Sequence, residues 1–116
     1  MTDEKFVKNL LKNEILELVE AKDWHNLKEA IVEWPAPDIA ELIEEMEEDS
    51  RIIIFRLLPK KLSAEVFDEL NLITKENLIL KLTDENIRNI LSELSPDERT
   101  DLFEELPGKI TQKLLN

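Results

Sequence analysis

Along this chain an apolar residue returns at every twelfth position: Trp34, Met46, Leu58, Leu70, Leu82, Leu94 and Leu106. An apolar pair stands four places before each of these markers: Ala30-Ile31, Leu42-Ile43, Ile54-Phe55, Val66-Phe67, Leu78-Ile79, Ile90-Leu91 and Leu102-Phe103. The register extends outward to Leu18-Val19 and Leu114-Leu115. Within a unit the apolar residues take the fifth, eighth, ninth and twelfth places, as in Ile39, Leu42, Ile43, Met46 or Ile87, Ile90, Leu91, Leu94. That spacing, i, i+3, i+4, i+7, predicts an amphipathic helix in every unit.

The helices cannot run together. Twelve residues of α-helix overshoot three turns by roughly 120°, so a continuous rod would carry its apolar stripe around the axis and out of any core. The breaks are legible. Pro35, Pro59 and Pro107 open their units directly after the marker, where proline fits a first helical turn and stops the preceding helix. Ser95-Pro96-Asp97-Glu98 reads as a capping box with proline at the first helical position, and Asn71 and Thr83 are the caps expected for units without proline. A helix of eight to ten residues is only about 12–15 Å long and is not stable alone. Each must bury its apolar face against its neighbours, as in an α-solenoid. Gly108 is the only glycine, and no stretch alternates strictly enough for a sheet surface. The expected fold is all-α: a right-handed superhelix, armadillo- or HEAT-like, of short helices with a twelve-residue repeat. One domain covers 1–116. Residues 1–22 form an N-terminal capping helix carrying Phe6, Leu10, Leu11, Ile15 and Leu18, and 23–116 carry the repeats. The register fades at its start, where Lys22 stands in a marker's place.

Composition narrows the function. The chain has 116 residues and no cysteine, so thiolate metal or redox chemistry and disulfides are ruled out. No apolar run approaches the ~20 residues of a membrane span, and Met1 to Val7 carry no secretory signal. The formal charge is −12, which argues against nucleic acid, because phosphate contacts need clustered Lys and Arg. Acids gather in two runs, Glu41, Glu44, Glu45, Glu47, Glu48, Asp49 and then Asp97, Glu98, Asp101, Glu104, Glu105, with Arg51, Arg56, Lys60 and Lys61 between them. Such charges are the ordinary solvated faces of amphipathic helices. A surplus of this size also favours divalent cations or a basic partner, which relieve self-repulsion.

Catalysis finds no support. The single histidine, His25, stands at a helix start, and no phosphate loop, nucleophile elbow or paired histidine ligands occur. Trp24 and Trp34 read as core or end fillers. The chain is expected not to be an enzyme.

Three ordered segments resemble a known family. Pro37-Asp38-Ile39-Ala40-Glu41-Leu42-Ile43-Glu44-Glu45-Met46 is similar to the opening of the helical N-terminal domain of MgtE-type magnesium transporters. Arg51 to Pro59, continuing through Ala64-Glu65-Val66 to Leu70, resembles that domain's middle, and Ser95 to Pro107 its later repeat. The resemblance covers roughly 10–115. It implies a cytosolic domain at the cytoplasmic face of the membrane, followed by paired CBS domains and a transmembrane pore in a homodimer. It further implies that Mg²⁺ bridges carboxylates of this domain to the CBS domains and favours the closed pore. By the same resemblance Asp97, Asp101 and Glu65 are the metal-site positions. Asp97 and Asp101, at i and i+4, share a helix face about 6 Å apart, and Mg²⁺ needs only one or two protein carboxylates because it keeps several waters. The first turn favours an acid at Asp97 in any case. The chain stops at Asn116, before any CBS or membrane segment, and so reads as an excised regulatory domain or a free-standing relative. The alternative function is an armadillo- or HEAT-like interaction scaffold, similar to flagellar rotor domains, holding a partner in its concave face.

Overall fold

Six consecutive ten-residue helices begin at twelve-residue intervals: α3 (Ala36–Glu45), α4 (Glu48–Leu57), α5 (Lys60–Glu69), α6 (Leu72–Lys81), α7 (Asp84–Glu93) and α8 (Pro96–Glu105). They are preceded by α1 (Glu4–Glu20) and α2 (Trp24–Ile31) and followed by α9 (Gly108–Leu115). This computed structural model describes residues 4–115, and the side chains of residues 10–112. The expectations for Phe6 and for the pair Leu114-Leu115 therefore concern side chains outside the described set. Among the described residues there is no strand.

The two residues between successive helices explain the register. The marker is the C-cap and the next residue is the N-cap, both in extended backbone: Leu70 at φ −75°, ψ 153° and Asn71 at φ −72°, ψ 163°. The marker's N–H returns to a carbonyl of the helix it ends, as from Met46 to Ile43 at 3.1 Å and from Leu82 to Leu78 at 2.8 Å. Its side chain turns into the core, so one residue both stops a helix and seals it. Met46, Leu58, Leu70, Leu82, Leu94 and Leu106 are all buried, and Trp34 is half-buried against the same core.

N-caps follow residue chemistry. Asn71, Thr83 and Ser95 accept the N–H of the third residue onward at 2.9, 3.2 and 3.2 Å. At Ser95 the cap's own N–H donates in return to the Glu98 carboxylate, completing the capping box. Pro35 and Pro59 differ from expectation: they are the N-caps themselves, not first-turn residues, at φ −61°, ψ 145° and φ −59°, ψ 154°. This is the extended conformation proline prefers, and a ring nitrogen without a hydrogen loses nothing there.

Helices two units apart pack side by side. α3, α5 and α7 form one row and α2, α4 and α6 the other, while α1 lies on α2. The zigzag yields a body of 46 × 30 × 21 Å. Between the rows run Val66, Phe67, Ile54, Phe55, Leu78 and Ile79, with Phe55 and Phe67 meeting edge to face at 6.3 Å. The alternation changes at the C-terminal end, where α9 packs beside α6.

The fifth place departs from the simple quartet. Ile39 and Ile87 are buried there as expected, but Arg51, Ser63, Lys75 and the exposed Arg99 occupy it in other units. The first three have their polar ends engaged. Arg51 donates from Nε to the Ile43 carbonyl and from Nη2 to the Glu44 carbonyl, both at 2.9 Å, closing the orphan end of α3. Ser63 donates to the Lys60 carbonyl at 2.7 Å, and the Lys75 ammonium lies 5.8 Å above the Phe67 ring.

At the start of the chain, α1 ends in a Schellman motif. The N–H of Asp23 reaches the Leu18 carbonyl at 3.0 Å and that of Lys22 reaches Val19 at 3.1 Å. Lys22 sits at φ 58°, the left-handed turn that replaces the missing marker. Along α1, Ile15 is buried and Leu18 half-buried, but Leu10 and Leu11 are 52% and 42% exposed, so the expected cap is narrower than the sequence pattern implied.

Leu82 is 3% exposed and Ile73 is 72% exposed. Leu82→Ala should therefore cost about 2–4 kcal/mol in a urea titration, and Ile73→Ala a few tenths. Similar small costs at both positions would show that the markers do not seal the stack.

Candidate functional site

Carboxylates of α5 and α8 converge where the C-terminal end of the stack closes. A groove of about 390 Å³ is lined by Lys61, Ala64, Glu65, Asp68 and Glu69 of α5, Ala36 of α3, Glu93 of α7, the marker Leu94, and Glu98 of α8. A second, of about 190 Å³, is lined by Phe67 and Asp68 of α5, Lys75 of α6, Leu94, and Glu98, Asp101, Leu102 and Glu105 of α8. Asp68, Leu94 and Glu98 belong to both, so the grooves are continuous. Their linings combine a few apolar residues, among them Ala64, Leu94 and Leu102, with a majority of charged ones. The smaller one is lined by four acids, Asp68, Glu98, Asp101 and Glu105, and one lysine, Lys75, whose ammonium lies over the Phe67 ring.

The sequence places these residues for separable reasons. Glu65 and Asp101 both hold the seventh place of their units, on the side of the helix away from the eighth- and ninth-place core pair. Both are exposed. Glu98 reaches the groove as the third residue of α8, where its carboxylate also closes the capping box at 3.4 Å.

Of the three expected metal positions, the structure gives Asp101 to the smaller groove and Glu65 to the larger, while Asp97 lines neither. Asp97 is exposed in the first turn of α8, where the helix dipole alone favours an acid. The residue that sequence reasoning passed over is Asp68, common to both grooves. Its only available signal was the tenth place of its unit, one turn beyond Glu65 on a helix that is brought near α8 only by the tertiary fold. Among the described residues, no three of His, Cys, Asp and Glu are gathered closely enough to hold a metal ion. A hydrated Mg²⁺ ion asks only one or two carboxylates of a protein, with water completing its shell.

The other candidates take structural places. His25 is exposed, with Nε2 3.2 Å from Glu29, and Trp24 and Trp34 pack on the core. Of the central basic group, Arg51 caps α3 and Lys60 lies 3.8 Å from Glu93. No helix among the described residues is long and apolar enough to cross a membrane.

Glu98 serves the cap and the groove at once, and these roles can be separated. Glu98→Gln keeps an acceptor for the capping box and should change stability by under about 0.5 kcal/mol, whereas Ser95→Ala should cost about 1 kcal/mol. Thermal melts of the two variants check this. An equal loss in both would show that the Glu98 charge, rather than the cap, holds the start of α8.

Comparison with known proteins accords with this architecture. No curated protein sequence matches the chain. Among solved structures, the crystal structure of the soluble part of a magnesium transporter superposes with a TM-score of 0.81 over 93% of this chain, at 16% identity. At that identity the likeness is one of fold, and this chain spans 43% of the length of that one. The family model of the MgtE intracellular N domain matches residues 34–116, from the first marker through the last helix. With well over half of its length matched in a single register, the chain belongs to the MgtE intracellular N domain family.

Proposed function

We propose that this chain is the cytosolic magnesium-sensing domain of a magnesium transporter or channel, with the α5 and α8 carboxylates as its sensing surface. The observation that carries the proposal is the smaller groove, whose lining sets Asp101, Asp68, Glu98 and Glu105 against one cation, Lys75, that lies over an aromatic ring. Family membership supplies the context. It is the N domain of a transport protein and not an enzyme family, and it favours this reading over the interaction scaffold, which has the same fold.

The mechanism is electrostatic. Asp97, Asp101 and Glu65 each offer part of a ligand shell, and water and a facing acidic surface complete it. In the full-length homodimer that surface belongs to the CBS domains. With Mg²⁺ abundant, the ions bridge the two acidic surfaces and the closed pore is favoured. With Mg²⁺ scarce, like charges across the gap repel, and the domains separate toward the state that lets the pore open. Every residue invoked here is exposed. Ligand exchange then needs no unfolding, and affinity is expected near cellular millimolar magnesium, not in the range of a closed cage.

The test uses the chain itself. At a Mg²⁺ concentration equal to its dissociation constant, a ligand stabilises by about 0.4 kcal/mol, or about 1–2 °C in melting temperature for this size. MgCl₂ should raise the melting temperature by that margin over NaCl at equal ionic strength, and Asp101→Asn should remove the margin without lowering the melting temperature in NaCl. Coincident melts in the two salts would reduce the effect to screening and contradict a site on this domain.

A further inference from the structure

We propose that α8 opens and closes as a strap while the rest of the stack stays folded, pinned shut by Leu102 and pushed open by its own carboxylates. The helices differ sharply in what they bury. α3 buries Ile39, Ala40, Leu42 and Ile43, and α5 buries Ser63, Ala64, Val66 and Phe67. α8 buries Leu102 alone, with Phe103 half-buried. Leu102 seats in a slot formed by Phe67, Ile79, Ile87, Ile90 and Leu91, from α5, α6 and α7, in which about 10 Å³ remains unfilled. Buried residues also flank that seat on both sides. Leu94 and Leu106 are buried on either side, and α9 is held by buried Ile110 in the row of α6. Releasing α8 therefore frees a segment tethered at both ends and leaves the other helices in place.

Charge works against the closed state. α8 carries Asp97, Glu98, Asp101, Glu104 and Glu105 against Arg99. No ion pair among the described residues engages any of the five acids. Asp97 with Asp101 and Asp101 with Glu105 are like-charge pairs at i, i+4, which destabilise a helix. Glu104 and Glu105 also occupy the last turn, where no basic residue offsets the negative end of the dipole. Asp68, across the groove, adds to the repulsion. The capping box holds the start of the helix, but ten residues do not stay helical without packing. One leucine thus stands against an unbalanced acidic helix, and the balance moves with cation concentration. Opening uncovers the slot, an apolar recess that fits a single branched aliphatic side chain. The strap is independent of the sensing proposal, because screening by NaCl alone weakens the repulsion.

Native-state hydrogen exchange of the whole chain across low urea concentrations tests it. Amides of α8 should exchange at least about tenfold faster than those of α5 and α7. Their rate should stay flat in urea where the rates of α5 and α7 climb, the signature of a local opening that exposes little surface. Raising NaCl from about 0.01 to about 1 M, which shortens the screening length from ~30 to ~3 Å, should slow α8 exchange, as should Glu105→Gln. Leu102→Ala should abolish α8 protection while α5 stays protected; if that variant does not fold, the urea series on the unaltered chain decides. One common rate and urea slope for α5, α7 and α8 would overturn the strap. An α8 rate indifferent to both salt and Glu105→Gln would overturn its electrostatic drive. Closure by NaCl with no further slowing by Mg²⁺ at equal ionic strength would uphold the strap and count against the metal reading alone.

Discussion

Twelve residues do not close on the helical turn, and the rest of this structure depends on how the chain accommodates that mismatch. Left continuous, the helix would rotate its apolar stripe by roughly 120° per unit. Interrupted by two extended residues each time, it returns the stripe to the core with every unit. The interruption is stable because its first residue is a buried Leu or Met whose N–H still closes the preceding helix. Its second residue is a side-chain cap or a proline at every such junction but one, where Glu47 holds the same extended backbone without a capping bond. Packing and chain reversal thus rest on the same position, which explains why so few glycines are needed: Gly108, the only one, stands in open space at the start of α9.

A stack with a fixed period also sorts charge. Places that face away from the core pair do so in every unit, so acids at the seventh place, Glu65 and Asp101, come to exposed faces on separate helices. Strict alternation of rows would keep α5 and α8 apart. The change at the C-terminal end brings them together: α9 takes the place beside α6, and Leu102 carries α8 onto the surface shared by α5, α6 and α7. The acidic groove is a product of that irregular end rather than of the repeat. The side chain that makes the groove is also the one that fastens its most acidic wall.

Much of the fold was legible in the chain because its determinants are local. Marker spacing, the caps at Asn71, Thr83 and Ser95, and the apolar pairs at the eighth and ninth places follow from residue chemistry within a few positions. What escaped depends on neighbours distant in sequence. The pattern cannot show that Arg51 turns back to cap α3, that Lys75 rests over Phe67, or that Leu10 and Leu11 lie on a face of α1 that nothing covers well. The candidate site divides in the same way. Acids on α8 were visible as a run, and Asp101 and Glu65 through their family resemblance, whereas Asp68 joins them only through the groove that α5 and α8 both line.

The central claim is that the carboxylates of α5 and α8 form one cation-responsive surface on a stack that is otherwise indifferent to the ion. A residue-by-residue NMR titration of the chain with MgCl₂, referenced to NaCl at equal ionic strength, addresses it most directly. Amide shift changes should concentrate on α5 and α8 around Glu65, Asp68, Glu98 and Asp101 and saturate in the millimolar range. The other acidic run, Glu41 to Asp49, should move no more in MgCl₂ than in NaCl. Shifts spread evenly over both acidic runs, without saturation, would contradict it.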